Sequence, residues 1–306
     1  MTLHKKTNQP KKTTAVSNQE TETPAPPKKK VGCRKLFRRW ILRILLLFIV
    51  LVIVVPAGIY ILQPKYYKVL IIGSDQRGTE HARSDVLMMV AVPKSSADPF
   101  SMTMIPRDTK IDHPEKGMQK ITHFYAMWED EDEYLGNKEL TQSVVEDLLD
   151  VKAHATVEVT FDSFIEIVDL LGGVDTEQGH LDGAAAKEIV HNRYVQAEGD
   201  FGRASNQREI LRNILSRLKK PANAQVVYDY FQETERARID VNMTQFGVFG
   251  LAYVVGHKGD LSLGDVEEVI LPGSGQRIYT PDFNKELYYW VLDEDGTKEK
   301  VDEYLK

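Results

Sequence analysis

The chain has 306 residues, and its net charge of −6 hides an uneven distribution, because residues 1–43 hold 12 Lys and Arg but only 2 Asp and Glu. The rest of the chain carries 27 of the 39 basic and 43 of the 45 acidic side chains. The one cysteine, Cys33, lies in the basic segment, which excludes a disulfide within the acidic part.

The N-terminal segment has the sequence pattern of a membrane anchor. Residues 1–39 are basic and lack apolar periodicity, so they are predicted to be a disordered tail. The uncharged run from Ile44 to Leu62 is long enough for a bilayer, which predicts a transmembrane helix at 40–62. A cleaved signal peptide is the alternative, but its apolar core usually has about 7–15 residues. The positive-inside rule then predicts a single pass through the cell membrane, with a cytoplasmic N-terminus and an extracellular domain at 64–306.

Three apolar runs follow Pro64, at Val69 to Ile72, Val86 to Val92 and Met102 to Ile105. Continuous apolar runs of this length are typical of strands that are covered on both faces. They therefore predict an α/β fold in which these runs are central strands with helices above and below.

Charged residues stand where these runs begin and end. In open sheets, functional groups collect just past the strand ends, so these side chains are predicted neighbours. One such turn alone would favour a solvated hairpin with surface salt bridges, but this chain has two. Carboxylates with guanidinium groups point to a metal ion and a phosphate. The residues concerned are Asp75, Arg77, Arg83, Asp85, Arg107 and Asp108.

The rest of the domain is predicted to alternate helices and strands. Asp162 is predicted to cap a helix over 163–171, which Gly172 and Gly173 end. Residues 199–203 are predicted to form a loop before a helix at 207–218. Further helices are predicted at 120–128, 141–150 and 283–292, and further strands at 157–161 and 269–271.

Motifs of several other protein classes are absent from the sequence. It has no zinc-spaced Cys and His, no G-x-S-x-G elbow, no P-loop and no G-x-G-x-x-G. The one basic run adjoins the predicted membrane helix, so anionic lipid headgroups rather than nucleic acid are its expected partner. The remaining chemistry is phosphoryl transfer or pyrophosphate binding.

Six motifs follow one another along the chain, and they are VLIIGSDQRGTEHARSDVLMMVAV (69–92), MIPRDT (104–109), KITHFYA (120–126), FDSFIEIVDLLGGVD (161–175), LDG (181–183) and GDFGR (199–203). Together with the N-terminal anchor, these motifs resemble the LytR-CpsA-Psr (LCP) family of Gram-positive surface proteins. The resemblance covers about residues 65–220 and implies an α-β-α sandwich with a mixed central sheet flanked by helices and a hydrophobic tunnel for a polyprenyl tail.

The resemblance also implies a function. Family members are expected to transfer an anionic glycopolymer, such as teichoic acid or capsular polysaccharide, from an undecaprenyl pyrophosphate carrier to peptidoglycan. By matching position, Asp75 and Asp85 would hold Mg²⁺, and Asp200 is a candidate base. The implied pyrophosphate ligands are Arg77, Arg83, Arg107, Lys120, Arg193 and Arg203, and the implied catalytic set is Asp75, Arg83, Arg107, Arg193 and Asp200.

Three positions depart from the family pattern. Thr122 stands where Asn is common, and His191 and Asn206 stand where Arg is common. A neutral imidazole supplies one donor against the five of a guanidinium, so the two lost arginines weaken a pyrophosphate clamp. The sequence therefore leaves two alternatives open, which are a non-catalytic polyprenyl-pyrophosphate-binding or regulatory protein and a carrier pyrophosphate hydrolase.

Overall fold

The structure, a computed structural model, describes residues 33–50, 58, 61–75, 82–95, 98, 100–127, 135–191, 200–218, 220–242 and 266–306. At the helical positions 33–36, 191, 200–208 and 221 it describes the backbone only. The chain divides into two units, Met1–Val55 and Pro56–Lys306. In the first unit the structure describes helix α1 (Cys33–Ile49), whose apolar side chains from Phe37 onward are exposed.

The predicted transmembrane helix lies partly outside the described residues, which leave out 51–57 and 59–60. Helix α1 contains the first part of the apolar run, from Ile44 to Ile49. In the ranges that the structure describes, no helix is long and apolar enough to cross a membrane. The membrane-spanning segment therefore stays a prediction.

The second unit is built on a six-stranded mixed sheet. The predicted central strands are confirmed as β1 (Tyr66–Ser74), β2 (Ser84–Pro93) and β3 (Phe100–Ile105). The other three strands are β6 (Ala155–Thr160), β9 (Ala237–Val241) and β10 (Val266–Ile270). The order across the sheet is β10-β3-β2-β1-β6-β9. The β10–β3 and β1–β6 pairs are parallel and the other three are antiparallel.

Helices cover both faces of this sheet, as the predicted α-β-α sandwich requires. On one face, Leu70 and Ile72 pack with α2 (Lys138–Leu149), α7 (Glu294–Tyr304) and the 3-10 helix Ile121–Ala126. On the other face, Met88 and Met102 pack with Leu211 and Leu215. The helices of this second layer form one apolar cluster, and they are α3 (Phe161–Leu170), α4 (Gly183–His191), α5 (Asp200–Leu218) and α6 (Pro221–Glu233).

Three short ribbons complete the described fold. They pair β4 (Lys110–His113) with β5 (Gly117–Lys120), β7 (Val174–Thr176) with β8 (Gly179–Leu181), and β11 (Gly273–Thr280) with β12 (Lys285–Leu292). The predicted helix at 283–292 is wrong, because residues 285–292 form strand β12. Its Tyr288, Tyr289, Trp290 and Val291 have high strand propensity, and Tyr289 is fully buried.

Two helix starts also differ from the prediction. Thr160, not Asp162, is the N-cap of α3, and it forms a capping box with Ser163. Gly172 and Gly173 end that helix as predicted, with φ of +75° and +82°. The predicted loop at 199–203 is wrong from residue 200 onward, because α5 begins at Asp200. The helix dipole favours an acidic residue in the first turn of a helix. Gly202 is tolerated in that turn because the N–H groups of the first turn make no intrahelical hydrogen bonds.

Candidate functional site

One end of the sheet brings together the charged residues that follow and precede its central strands. Since β2 runs antiparallel to both β1 and β3, the end of β1, the start of β2 and the end of β3 lie on the same side. This topology places Asp75 and Asp85 near Arg107 and Asp108. The predicted neighbourhood is confirmed for Asp85, Arg107 and Asp108, because Arg107 contacts both carboxylates, and for Asp75 with Arg83.

Asp75 is fixed by Arg83, the residue that precedes β2. The Arg83 backbone N–H donates to Asp75 Oδ1 at 2.9 Å, and the Asp75 N–H donates to the Arg83 carbonyl at 3.3 Å. The ladder is irregular between Gly73 and Ser74, where a register shift separates the Gly73–Val86 pair from the Ser74–Ser84 pair. The extra residue is Asp85, so the bulge lies on β2 and re-aims the start of that strand, as bulges beside functional sites commonly do. The Arg83 side chain is exposed and pairs with no described residue.

Arg107 lies between two acidic residues, Asp85 and Asp108, and contacts both. Its Nη1 lies 2.9 Å from Asp85 Oδ1, and its Nε lies 3.9 Å from Asp108 Oδ2. Lys120 continues the row, with Nζ 2.6 Å from Asp108 Oδ1. These side chains are only 18–29% exposed, so the attractions are less screened than in a surface salt bridge. Carboxylates and cationic groups therefore alternate along a row of four side chains, Asp85, Arg107, Asp108 and Lys120.

His123, which was not predicted as a site residue, lies beside this row. Burial, together with the nearby Arg83 and Lys120, lowers the pKa of His123 to about 4. Its Nδ1 is 3.0 Å from Gln119 Oε1, and its ring lies 5.6 Å from that of Phe283. The imidazole is therefore neutral at ordinary pH and adds no positive charge for a phosphate. The only sequence signal for it was its position inside KITHFYA.

The carboxylates suit a magnesium ion that keeps most of its water and phosphate ligands. Asp75 and Asp85 each use Oδ1 in a hydrogen bond, and no described residue donates to either Oδ2. Magnesium is commonly held by one or two carboxylates plus substrate phosphates. Within the described part of the chain, no group of three or more His, Cys, Asp or Glu could hold a metal. The Oδ2 atoms of Asp75 and Asp85 are therefore the groups at this site that could ligate such an ion.

Several predicted site residues cannot be placed next to these groups. Arg77 and Arg193 lie outside the described residues. Asp200 and Arg203 belong to the first turn of α5, as Asn206 belongs to its second, and the structure describes only their backbone. Their proximity to Asp75 stays a prediction.

A buried polar network, missed by sequence reasoning, lies beneath the site. Glu158 on β6 is fully buried, and its carboxylate accepts from Tyr125 Oη at 2.5 Å and from Arg238 Nε at 2.9 Å. The Tyr125 hydroxyl is also hydrogen bonded to the side chain of Ser74, the residue before Asp75. Burial raises the pKa of Glu158, while Arg238 and Tyr125 oppose that rise. Burial and the Glu158 charge raise the pKa of Tyr125.

Thr122 occupies a structural position in the same region. It is buried, and its Oγ1 donates to the carbonyl of Ser84 at 2.9 Å. Its backbone N–H donates to the carbonyl of Arg107 at 3.2 Å. Thr122 thus ties the start of β2 to the segment after β3, and its hydroxyl is directed at the backbone.

Comparison with known proteins gives the family. A model of the LytR_cpsA_psr family matches residues 61–179 and 175–303. The chain belongs to this family. The two LytR_cpsA_psr matches span almost the whole second unit, and they include every charged residue placed above. The resemblance found in the sequence is therefore confirmed.

Relatives within the LytR_cpsA_psr family agree with this assignment. The polyisoprenyl-teichoic acid--peptidoglycan teichoic acid transferase TagU of Bacillus cereus (strain AH820) is 30% identical over 244 residues, covering 71% of this chain and 75% of that protein. The crystal structure of B. subtilis TagU matches with a TM-score of 0.55 and 26% identity over 78% of this chain and 95% of that chain. Lin1025 of Listeria innocua matches with a TM-score of 0.61 and 25% identity over 78% and 96%.

Proposed function

We propose that this chain is a membrane-anchored, magnesium-dependent phosphotransferase that moves an anionic glycopolymer from an undecaprenyl pyrophosphate carrier to peptidoglycan. The observation that carries the proposal is the convergence of Asp75 and Asp85 with Arg107 and Lys120 at one end of the sheet. Membership of the LytR_cpsA_psr family supports it, as does the name of the B. cereus relative, which gives teichoic acid and peptidoglycan as that protein's substrates.

The cationic groups would bind the pyrophosphate. Arg83 is exposed and unpaired among the described residues, and Nη2 of Arg107 has no described partner, so both can donate to phosphate oxygens. Asp85 and Asp108 hold the Arg107 fork in place before the substrate arrives, which lowers the cost of ordering it. Arg77, Arg193 and Arg203 complete the proposed clamp.

Asp75 and Asp85 would hold the magnesium ion. When bound, Mg²⁺ supplies positive charge next to the phosphate oxygens. Asp75 is fixed for this by the Arg83 N–H, and Asp85 by the Arg107 guanidinium. Each contact uses one carboxylate oxygen and keeps the other available.

The proposed reaction is a displacement at phosphorus. A peptidoglycan sugar hydroxyl attacks the phosphate next to the glycopolymer, the bond to the bridging oxygen breaks, and undecaprenyl phosphate leaves with that oxygen. Asp200 is the proposed base that accepts the hydroxyl proton. Arg83, Arg107 and Lys120 offset the negative charge on the oxygens being transferred.

The lipid tail of the carrier would lie on the apolar face beneath α5. There Val69 and Ile71 of β1 are only partly buried beside methionines of β2 and β3. Methionine side chains adapt to irregular apolar shapes, which suits a flexible polyprenyl chain. The methionines are Met88, Met102 and Met104.

The proposed localisation is the cell membrane, with residues 40–62 as the anchor and residues 64–306 outside. Protease added to intact protoplasts should digest the C-terminal domain and leave the basic tail protected. Protection of the domain would refute this orientation.

A turnover assay tests the proposed function. The full chain in detergent micelles is given a short-chain polyprenyl-pyrophosphate-linked saccharide and a peptidoglycan fragment, with Mg²⁺ or with a chelator. We expect Mg²⁺-dependent transfer that is lost in Asp75→Ala and Asp85→Ala. Asp112→Ala is the matched control, because Asp112 is an exposed carboxylate on β4 that pairs with Lys110. If Asp75→Ala and Asp85→Ala keep the same transfer activity as the control Asp112→Ala, the proposed site is refuted.

The same assay separates the two alternatives. Release of polyprenyl phosphate without attachment to the glycan would indicate a hydrolase. Tight binding without turnover would indicate a carrier-binding or regulatory protein. The contact of Thr122 with the Ser84 backbone weakens one ground for that last alternative, because the Thr122 hydroxyl already has a partner in the protein.

A further inference from the structure

The 3-10 helix Ile121–Ala126 contacts both strands that carry the candidate metal ligands. Residues three apart in a 3-10 helix lie one above the other, so Thr122 and Tyr125 share a face. Both are buried, at 4% and 0% exposure. Thr122 Oγ1 donates to the Ser84 carbonyl at 2.9 Å, and the Tyr125 hydroxyl is hydrogen bonded to the Ser74 side chain. One short helix therefore holds one residue on each strand.

The two contacted residues stand next to the two aspartates. Ser74 and Ser84 are partners across the β1–β2 ladder, and both are buried. Asp75 follows Ser74, and Asp85 follows Ser84. A shift of either serine relative to the helix would therefore move a candidate ligand.

The position of the Tyr125 hydroxyl is itself fixed from below. Its acceptor Glu158 is fully buried and is held by Arg238, its ladder partner on β9. Glu158 therefore accepts from two side chains, Tyr125 and Arg238, and hydrogen bonds of this kind in a low-dielectric interior make a buried network rigid. Glu158 thus orients Tyr125, and Tyr125 orients the end of β1.

We propose that Thr122 and Tyr125 are positioning residues that hold Asp75 and Asp85 at the separation a divalent cation requires. The inference rests on the proposed function, from which the cation is taken. Magnesium demands nearly ideal octahedral geometry, so a small change in ligand separation weakens its binding. This proposal explains why Thr can stand where Asn is common in the family. The Thr122 hydroxyl donates to the Ser84 carbonyl, and an Asn side-chain amide could donate to the same atom. The departure from the family pattern at this position preserves a donor.

Calorimetric titration of Mg²⁺ into the full chain, without substrate, tests this role. Loss of groups that orient metal ligands commonly costs about 10–100-fold in metal affinity. We expect a loss of roughly 10-fold or more in Tyr125→Phe and Thr122→Val, and near wild-type affinity in Thr122→Asn. Tyr67→Phe is the matched control, since Tyr67 is a buried tyrosine of β1 whose hydroxyl donates to Gln63. Both Tyr→Phe variants should lose similar thermal stability, and only Tyr125→Phe should lose Mg²⁺ affinity.

The results distinguish failure of this inference from failure of the proposed function. If Asp75→Ala and Asp85→Ala abolish Mg²⁺ binding while Tyr125→Phe and Thr122→Val bind like Tyr67→Phe, the positioning role is refuted and the metal site stands. If the aspartate variants bind Mg²⁺ like the wild type, both are overturned. If Tyr125→Phe does not fold, the contrast between Thr122→Val and Thr122→Asn decides the question.

Discussion

Replacing Arg238 by leucine would leave the Glu158 carboxylate buried with Tyr125 as its remaining partner. Glu158 is 0% exposed, and the Arg238 side chain, which is 29% exposed, contributes both Nε at 2.9 Å and Nη2 at 2.8 Å to the same oxygen. Breaking a buried ion pair from one side costs about 3–5 kcal/mol. Because Arg238 is partly exposed, we expect the lower end of that range, about 3 kcal/mol. For a domain of this size that corresponds to a loss of about 6–12 °C in Tm.

The loss should depend on pH in a defined direction. Burial raises the pKa of Glu158 above its ordinary value of 4.5, and Arg238 opposes that rise, so the pKa is higher still in Arg238→Leu. A carboxyl whose folded-state pKa is raised costs no stability below its unfolded pKa, and its ionisation becomes costly as the pH rises through the folded value. The gap in Tm between the wild type and Arg238→Leu should therefore be largest near pH 8 and shrink towards pH 5.

Thermal unfolding of the full chain, followed by far-UV circular dichroism between pH 5 and 8, measures this gap. Arg236→Leu is the matched control, because Arg236 pairs with Glu166 at 2.8 Å but both side chains are more than 40% exposed. Such exposed pairs contribute about 0–1 kcal/mol. An equal loss in the two variants, or a gap that does not change with pH, would refute the reasoning.

Two further predictions concern the site and the bulge below it. The pKa of His123 is about 4 in the folded chain, against 6.5 for a free imidazole, so the stability that neutral His123 contributes is present above pH 6.5 and lost as the pH falls towards 4. His123→Gln should flatten the fall in Tm over that window, and a ring titration near 6.5 by NMR would contradict this. At Gly73 a Cβ would lie 2.9 Å from the Val86 Cβ, so Gly73→Ala should lower the free energy of unfolding by about 1–3 kcal/mol. Val86→Ala should recover part of that loss, and an unchanged urea midpoint in Gly73→Ala would count against the close contact.

The central strands could be predicted because their apolar runs are continuous. Strands covered on both faces are typically apolar at successive positions, as β1 is over residues 69–72 and β2 over residues 86–92, whereas Ser101 and Thr103 interrupt the apolar residues of β3. The strand at 285–292 was mistaken for a helix because three aromatic residues in succession show no clear period. The start of α5 was missed because Gly199 and Gly202 are typical of a loop, whereas the structure places Gly202 in the first helical turn.

The candidate site could be predicted in part for the same reason. Strand order brings the strand ends together, so Asp75, Asp85 and Arg107 follow from the positions of the strands. Glu158 could not be found this way, since it lies between Val157 and Val159 and an alternating strand places such a residue in solvent. Its true environment depends on Tyr125 and on Arg238, which is 80 residues away in the chain.

The β1–β2 hairpin that holds the two aspartates and the Glu158 network beneath it differ in the length of chain that must be closed to form each. Asp75 and Asp85 belong to one β-hairpin, and the Asp75–Arg83 contact spans 8 residues. The Glu158–Arg238 pair beneath it spans 80 residues and joins an edge strand to the sheet. Closing a long loop costs more chain entropy than closing a short one, and distant contacts generally form later in folding. We therefore expect the β1–β2 hairpin to form before the Glu158–Arg238 pair. A folding chain in which β9 has not yet docked would then have the Asp75–Arg83 contact, while the proposed network would not yet hold Asp75 and Asp85 at a set separation.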